Sequence, residues 1–334
     1  MPVPRLRRRH LLGGAVCLAG TARAASPTYR VAFANATEAQ GARLEGLGFT
    51  GFDVRRSFEL AARTLPLEML YYDNGGDAET AISNAVDAIS HKVDLLIEYN
   101  PEASANPEIA RRMTAAGIPV FAINYPVGDA PLYTADNFAA GKIAGQALGA
   151  FAKQSWPDDA PVAVILGDLG DPSDGMALRM KGITAGLHAE LVDVEATSLD
   201  TGGQPKRGDG LLTKYLALQP RRKVLVAALD DLTALSAKVA VEVAVRMNEC
   251  VIVSQGLDQS VHGGASAKKE IDPANRSSVV LGSVAYYLDH YGYEVLPLAV
   301  RVLKGETIPA RTVTRHRLVT GANIFREYPP TDMN

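Results

Sequence analysis

The sequence is poor in cysteine, tryptophan and histidine. Its 334 residues include two cysteines, one tryptophan and six histidines. Cys17 lies within the first 24 residues, which we interpret below as a removable segment, so Cys250 is left alone and no intrachain disulfide can form. Since Cys250 lies in an apolar run, we expect it to be a small buried hydrophobe and not a reactive thiol.

The sequence also lacks the patterns that most catalytic and metal-binding sites require. No serine lies in a nucleophile elbow, and no two histidines have the spacing of metal ligands on one helix. Residues 167–171 lack the glycine spacing and the lysine of a nucleotide-binding loop. Residues 170–175 and 200–203 lack the spacing of a calcium loop. We therefore expect a protein that is not an enzyme and that holds no metal and no cofactor.

An apolar run near the N-terminus is too short for a membrane span. Residues 11–19 follow four arginines between positions 5 and 9, and a small-x-small pattern ends at Ala24. This arrangement predicts an export signal that is cleaved after Ala24, with a core too short to cross a bilayer. The paired arginines followed by two leucines favour the twin-arginine route, and an ordinary Sec signal is the alternative.

The charge balance is acidic once the first 24 residues are set aside. They hold five arginines and no acidic residue, which leaves 29 basic against 37 acidic side chains and a net charge of −8. An acidic surface argues against nucleic acid and against anionic membranes as partners. The remaining length of about 310 residues is typical of two domains.

Short apolar strands alternate with helical patterns along the whole chain. The clearest helix follows Asp77, which we expect to cap it, and carries apolar residues at helical spacing from position 78 to position 89. Such alternation predicts parallel sheets with right-handed crossovers, arranged as two Rossmann-like α/β lobes. The predicted strands are 29–34, 68–72, 93–97, 119–123, 162–166, 191–195, 224–228, 251–254, 279–282 and 310–316, with further helices near 50–64, 107–116, 174–187, 206–218, 231–247, 258–269 and 287–304.

Two segments carry a resemblance to a known family. In the first, a strand ending at Asn124 is followed by a loop and then by Thr-Ala-Asp-Asn at 134–137, which leads into a glycine-containing helix. In the second, Ser-Val-Ala-Tyr-Tyr at 283–287 leads through a helix to Leu-Lys-Gly at 303–305. From about residue 28 to about residue 328 the chain resembles the type I, ribose-binding-like class of periplasmic sugar-binding proteins.

The resemblance implies a division into two lobes joined by a hinge of three crossings. The N-terminal lobe would comprise residues 25–135 and 287–317. The C-terminal lobe would comprise residues 136–286 and 318–334. The resemblance also implies that the protein is a monomer in the periplasm.

Polar side chains follow most of the predicted strands. In open parallel sheets, ligands bind beyond the carboxyl ends of the strands. Amides, carboxylates and tyrosines at that edge suit a polyhydroxylated ligand, although the same residue types also serve as turn formers and helix caps. We expect Asp73, Asp168 and Asp231 to be caps. The candidate ligand-binding residues at this edge are Asn35, Glu98, Asn100, Asn124, Tyr125, Asp230 and Asp258.

The resemblance selects among these residues and adds others. It implies ligand contacts from Asn124, Tyr125, Asn137, Arg179, Asp258 and Tyr286, from Asn100 if two residues are inserted, and from Phe49, Thr50 and Phe52 near the position of the family's aromatic pair. Arg179 could hold a ligand hydroxyl, or a carboxylate bidentately.

The chain also departs from the family pattern in ways that bear on the ligand. Leu229 stands where the family has an asparagine, and Asn124 with Tyr125 replaces an Asp-Arg pair. These departures argue against ribose itself. They fit another pentose or a hexose, a polyol, or a less polar small molecule.

The resemblance implies that the protein is the solute-binding component of an ABC importer. The ligand, a sugar or polyol, would bridge the lobes and shift the protein to a closed form, which would dock on permease subunits in the inner membrane. A periplasmic sensor that presents its ligand to a chemoreceptor or histidine kinase is the alternative. A LacI-type regulator would need a helix-turn-helix before residue 28, where the export signal stands, and an exported α/β enzyme is the remaining possibility.

Overall fold

A computed structural model describes residues 28–170, 174–263 and 269–329 as two six-stranded sheets; the predicted export signal lies outside these residues. The order of strands in the first sheet is β11-β5-β4-β3-β1-β2, and in the second it is β12-β10-β9-β8-β6-β7. All pairs are parallel except β10 with β12. The strands are β1 (Tyr29–Asn35), β2 (Leu67–Asp73), β3 (Leu95–Glu98), β4 (Val120–Ile123), β5 (Leu132–Thr134), β6 (Val162–Gly167), β7 (Ala196–Asp200), β8 (Val224–Ala228), β9 (Cys250–Gly256), β10 (Val280–Ala285), β11 (Arg311–Val313) and β12 (Leu318–Val319).

Helices cover both faces of each sheet. In β1, Val31 and Phe33 face one apolar core while Ala32 and Ala34 face another, and all four are fully buried. Burial on both faces explains why the strands read as continuous apolar runs and not as alternating ones. The helices are α1 (Gly51–Ala62), α2 (Ala78–Ser90), α3 (Asn106–Ala115), α4 (Asn137–Ser155), α5 (Asp174–Glu190), α6 (Gly208–Leu218), α7 (Asp231–Val243), α8 (Gln259–His262), α9 (Tyr291–Leu303) and α10 (Ile324–Glu327).

Several predicted elements are wrong in position or length, among them the strand predicted at 310–316, which covers only Arg311–Val313, and three others have a clear physical reason. The strand predicted at 191–195 lies at 196–200, because β7 is an edge strand with mostly exposed side chains and carries little apolar signal. The helix predicted at 258–269 ends at His262, where Gly263 adopts a left-handed conformation with φ 78°. The helix predicted from 287 begins at Tyr291, because Tyr287 is also left-handed, with φ 55°.

Glycines bring α4 and α5 into backbone contact. A Cβ at position 141 would lie 2.0 Å from the carbonyl oxygen of Arg179, and one at position 145 would lie 2.1 Å from that of Ile183. Gly182 and Gly186 of α5 face carbonyl groups of α4 in the same way. This close packing fixes the start of α4 against the turn of α5 that carries Arg179.

The chain crosses between the sheets three times, after β5, after β10 and after β11. Hydrogen bonds tie these crossings together. The Thr314 amide donates to the Thr134 carbonyl at 3.0 Å. The Asp136 amide donates to Nε2 of His316 at 3.0 Å, so the ring proton is on Nδ1, which donates to the Ala285 carbonyl at 2.9 Å. His316 therefore links all three crossings.

Acid should weaken this hinge through His316. Burial lowers the pKa of His316; Asp136 opposes the shift and Arg179 reinforces it. Below about pH 6.5 the unfolded chain therefore binds more protons than the folded protein. The free energy of unfolding consequently decreases as the pH is lowered, by up to about 1.4 kcal/mol per pH unit. We expect His316→Gln to lose this part of the pH dependence, measured by urea unfolding between pH 8 and pH 5.

The control for this experiment is internal. Burial lowers the pKa of His262 to about 4, and that group contributes a slope of the same sign to both proteins, which cancels in their difference. Equal slopes for the wild type and His316→Gln would show that protonation of His316 does not affect folding.

Candidate functional site

A cavity of about 260 Å³ lies where the carboxyl ends of the two sheets face each other. It is slightly smaller than the range of about 300–1,000 Å³ usual for ligand pockets. A larger groove of about 340 Å³ lies on the second lobe alone, near the amino end of β10 and away from the carboxyl ends of the strands. Polar residues of both lobes line the cleft cavity, among them Arg43, Glu45, Tyr99 and Tyr125 from the first lobe and Asn137 and Arg179 from the second.

Arg179 is the most buried charged group of the cleft, with 2% of its surface exposed. Its Nη1 donates to the Leu229 carbonyl at 3.0 Å, and its Nη2 lies 3.1 Å from Oδ1 of Asn137 and 3.3 Å from the Glu45 carbonyl. The guanidinium carbon lies 4.8 Å from the centre of the Tyr286 ring, a cation–π geometry. Among the described residues, no carboxylate lies within 4.0 Å of this guanidinium to form an ion pair.

Asn137 and Tyr286 complete the second-lobe side of this network. Asn137 is the first residue of α4, and its Oδ1 accepts from Arg179. The Tyr286 hydroxyl lies 3.1 Å from both Oδ1 of Asn137 and Oε1 of Gln255. Burial raises the pKa of Tyr286 to about 12, so the phenol keeps its proton as a donor at neutral pH.

Two tyrosines of the first lobe donate to one carboxylate. The Tyr99 hydroxyl lies 2.6 Å from Oε1 of Glu45, and the Tyr125 hydroxyl lies 3.3 Å from Oε2. Asn124 adopts φ 58° after β4, and its Nδ2 donates to the Tyr99 oxygen at 3.4 Å. Burial, with the charge of Glu45, raises the pKa of Tyr99 well above its usual value. Glu45 itself has φ 58°, in the left-handed region.

Asp258 follows β9 and faces the first lobe. Its Oδ1 accepts from the Ser260 amide at 2.7 Å, whereas its Oδ2 is buried and has no hydrogen-bond partner within the described ranges. The Asp258 amide donates to Oδ2 of Asp231 at 2.8 Å, and burial raises the pKa of both carboxyl groups. The prediction that Asp231 is a cap is wrong, because Asp230 caps α7 by accepting from the Thr233 amide at 2.9 Å.

The remaining strand-end candidates lie in buried polar networks of the first lobe. Asn35 Nδ2 donates to the Gly51 carbonyl at 2.8 Å. Asn100 pairs with Asn106, whose Oδ1 accepts from Nδ2 of Asn100 at 2.9 Å. Glu98 accepts from Asn74, and burial raises its pKa to about 8, which favours a neutral carboxyl group at pH 7. All three side chains are fully buried and contact neighbouring loops.

The aromatic pair and the threonine lie outside the cavity lining. Phe49 is buried in the large apolar core, and Thr50 caps α1 in a reciprocal pair with Asp53. Phe52 is 61% exposed and lines a separate surface groove that also contains His290.

Sequence reasoning missed four residues of the cleft. Tyr99 follows β3 directly, and Gln255 is the next-to-last residue of β9, so the strand-end rule could have found both. Arg43 and Glu45 lie in the long loop between β1 and α1, where no local pattern marks a position.

Other kinds of site were also sought in the described part of the chain. It contains no group of three histidine, cysteine, aspartate or glutamate side chains placed to hold a metal ion. None of its helices combines the length and the apolar character needed to cross a membrane.

The comparison with known families identifies the family of this chain. The sequence model of a family described as a periplasmic binding protein domain matches residues 46–307. The chain belongs to the periplasmic binding protein family. No curated protein gives a significant match.

Several solved structures share the fold. A protein from Mycobacterium smegmatis in complex with β-D-fucofuranose is 20% identical, covers 91% of this chain and 95% of its own, and has a TM-score of 0.67. A solute-binding protein of an ABC transporter from Agrobacterium vitis with bound allitol is 17% identical, with coverages of 90% and 97% and a TM-score of 0.64. One from Actinobacillus succinogenes 130z with bound D-allose is 16% identical, with coverages of 91% and 100% and a TM-score of 0.66. The type I fold of this periplasmic binding protein, with two α/β lobes and mostly parallel sheets, is thus confirmed.

Proposed function

We propose that this periplasmic binding protein captures one small polyhydroxylated ligand, a sugar or polyol, between its lobes and delivers it to an ABC importer. The observation that carries the proposal is the cleft itself. Arg179 and Asn137 of one lobe face Tyr99 and Tyr125 of the other across a single cavity. Related proteins of the same fold have β-D-fucofuranose, allitol or D-allose bound.

The proposed mechanism is closure about the three crossings. The lobes would divide at 135/136, 286/287 and 317/318. A ligand that pairs with both lobes would shift the population to the closed form by its differential affinity for that form. The protein would act as a monomer in the periplasm after removal of residues 1–24, and its closed form would dock on permease subunits in the inner membrane.

Calorimetry and thermal unfolding test the ligand class. The panel contains D-allose, allitol, D-galactose, D-galacturonate, D-sorbitol and D-gluconate. At a concentration 100 times its Kd, a true ligand adds about 2.7 kcal/mol to the free energy of unfolding, which is readily detected as a rise in Tm. If no member of the panel binds at millimolar concentration or raises the Tm, the proposed ligand class is wrong.

A further inference from the structure

The chain's own loop between β1 and α1 enters the cleft. We call residues 43–49 the Glu45 loop. The carbonyl of Glu45 accepts from Arg179 across the lobe boundary at 3.3 Å. The three residues that follow reach the second lobe as well, with Gly46 against Met176, Leu47 against Gly256 and Gly48 against Asp258. A segment of the chain itself therefore fills part of the cleft between the lobes.

The fit of this loop is imperfect. Glu45 adopts φ 58°, a conformation that non-glycine residues rarely take and that often marks functional sites. At the end of β9, which the loop covers, Nε2 of Gln255 and Oδ2 of Asp258 are buried, and neither has a partner among residues that the structure describes. Buried polar groups are normally paired, so these two atoms are available to an occupant other than the loop.

The Glu45 side chain indicates the chemistry of that occupant. The carboxylate of Glu45 accepts hydrogen bonds from the hydroxyls of Tyr99 and Tyr125, and the backbone carbonyl of Glu45 accepts one from Arg179. Arg43 lines the same cavity, so this end of the cleft presents two guanidinium groups and two phenol donors. Gly48 of the same loop covers Oδ2 of Asp258, so this acceptor becomes available when the loop leaves. Such an arrangement suits a molecule that carries both a carboxylate and hydroxyl groups.

We propose that Glu45 is an internal mimic of the ligand, and that the ligand is a sugar acid whose carboxylate replaces that of Glu45 between Tyr99 and Tyr125. This inference rests on the proposed function and narrows its ligand class. The loop must leave before the ligand enters, so the apparent affinity is reduced by the fraction of molecules in which the loop has left. Glu45 then sets the apparent affinity, whereas Tyr99 and Tyr125 set the preference for acids.

Matched ligands test the preference. We expect D-galacturonate to bind at least tenfold more tightly than D-galactose, or D-gluconate at least tenfold more tightly than D-sorbitol. Glu45→Gln keeps the shape of the side chain and removes the charge that holds the loop between the tyrosines, so it should tighten binding of the acid and of its neutral partner alike, each about fivefold. Neutral ligands that bind as well as the acids, or an acid affinity unchanged in Glu45→Gln, would overturn the inference and leave the proposed function standing. Binding by none of the panel refutes the proposed function and this inference together.

A cross-link tests the position of the loop without any ligand. A Cβ at position 48 would lie 3.1 Å from Cβ of Asp258, close to the spacing of about 3.5–4.5 Å in disulfides. We expect the pair Gly48→Cys and Asp258→Cys to oxidise in the ligand-free protein at least tenfold faster than the pair Gly41→Cys and Asp258→Cys. Position 41 lies in the same loop between β1 and α1, and a Cβ there would have no described neighbour within 4 Å. Equal rates for the two pairs would mean that the loop does not occupy the cleft.

Discussion

Gly145→Ala should lower the free energy of unfolding by about 3 kcal/mol, the upper part of the range for added groups in packed cores. The new methyl group would lie 2.1 Å from the carbonyl oxygen of Ile183 and 2.7 Å from the amide nitrogen of Leu187. Both atoms belong to the backbone of α5, so the clash cannot be relieved by turning a side chain. The helices must separate instead, and urea unfolding measures the loss.

Gly210→Ala is the matched control. Gly210 also lies inside a helix, α6, but a Cβ there would have no described atom within 4 Å. Since alanine is a better helix former than glycine, we expect this variant to be more stable by roughly 0.5–1 kcal/mol. A Gly145→Ala protein within 1 kcal/mol of the wild type would show that α4 and α5 are not in the close contact described above.

The same substitution reaches the cleft through the packing of the two helices. Arg179 lies one turn before Ile183 on α5, and Asn137 begins α4, so the distance between the helices sets the 3.1 Å contact between these two side chains. Parting the helices should therefore lengthen this hydrogen bond. The stability of the fold and the geometry of the cleft depend here on the same glycines.

The fold could be predicted from the sequence because its signals are local. The strand at 224–228 has the predicted bounds, since five consecutive buried residues identify a strand covered on both faces. The sequence misplaces the strand β7, because edge strands carry little of that signal. The strands β5 and β12 carry little of it for another reason, since they are only three and two residues long. Asp77 caps α2 as predicted, because a cap acts on an amide three residues away.

Local sequence patterns predict less of the cleft than of the fold. The network of Asn137, Arg179 and Tyr286 brings together residues that the family resemblance named. No pattern pointed to Glu45, because its partners Tyr99, Tyr125 and Arg179 are 54, 80 and 134 residues away in the chain. A position in a long loop is fixed by such distant contacts, and local periodicity does not record them.

Arg179→Met should weaken ligand binding at least 100-fold, or by about 3 kcal/mol. Methionine fills the space but donates no hydrogen bond, and hydrogen bonds of a charged group contribute about 1.5–3 kcal/mol each. The variant would also leave two acceptors, Oδ1 of Asn137 and the Leu229 carbonyl, without the hydrogen bonds that the guanidinium donates to them. Calorimetry with the panel ligand that binds the wild type most tightly measures the loss, at a temperature where circular dichroism shows both proteins folded.

Two further variants separate the role of the guanidinium fork from that of charge. Arg179→Lys keeps one positive charge but cannot reach acceptors on several sides at once, so we expect an intermediate loss of at least tenfold. Arg111→Met removes an arginine whose side chain is 66% exposed on α3, where it pairs with Glu108, and should leave affinity within twofold of the wild type. A Kd of Arg179→Met within threefold of the wild-type Kd would show that Arg179 does not contact the ligand. The proposed site between the lobes would then lack its central hydrogen-bond donor.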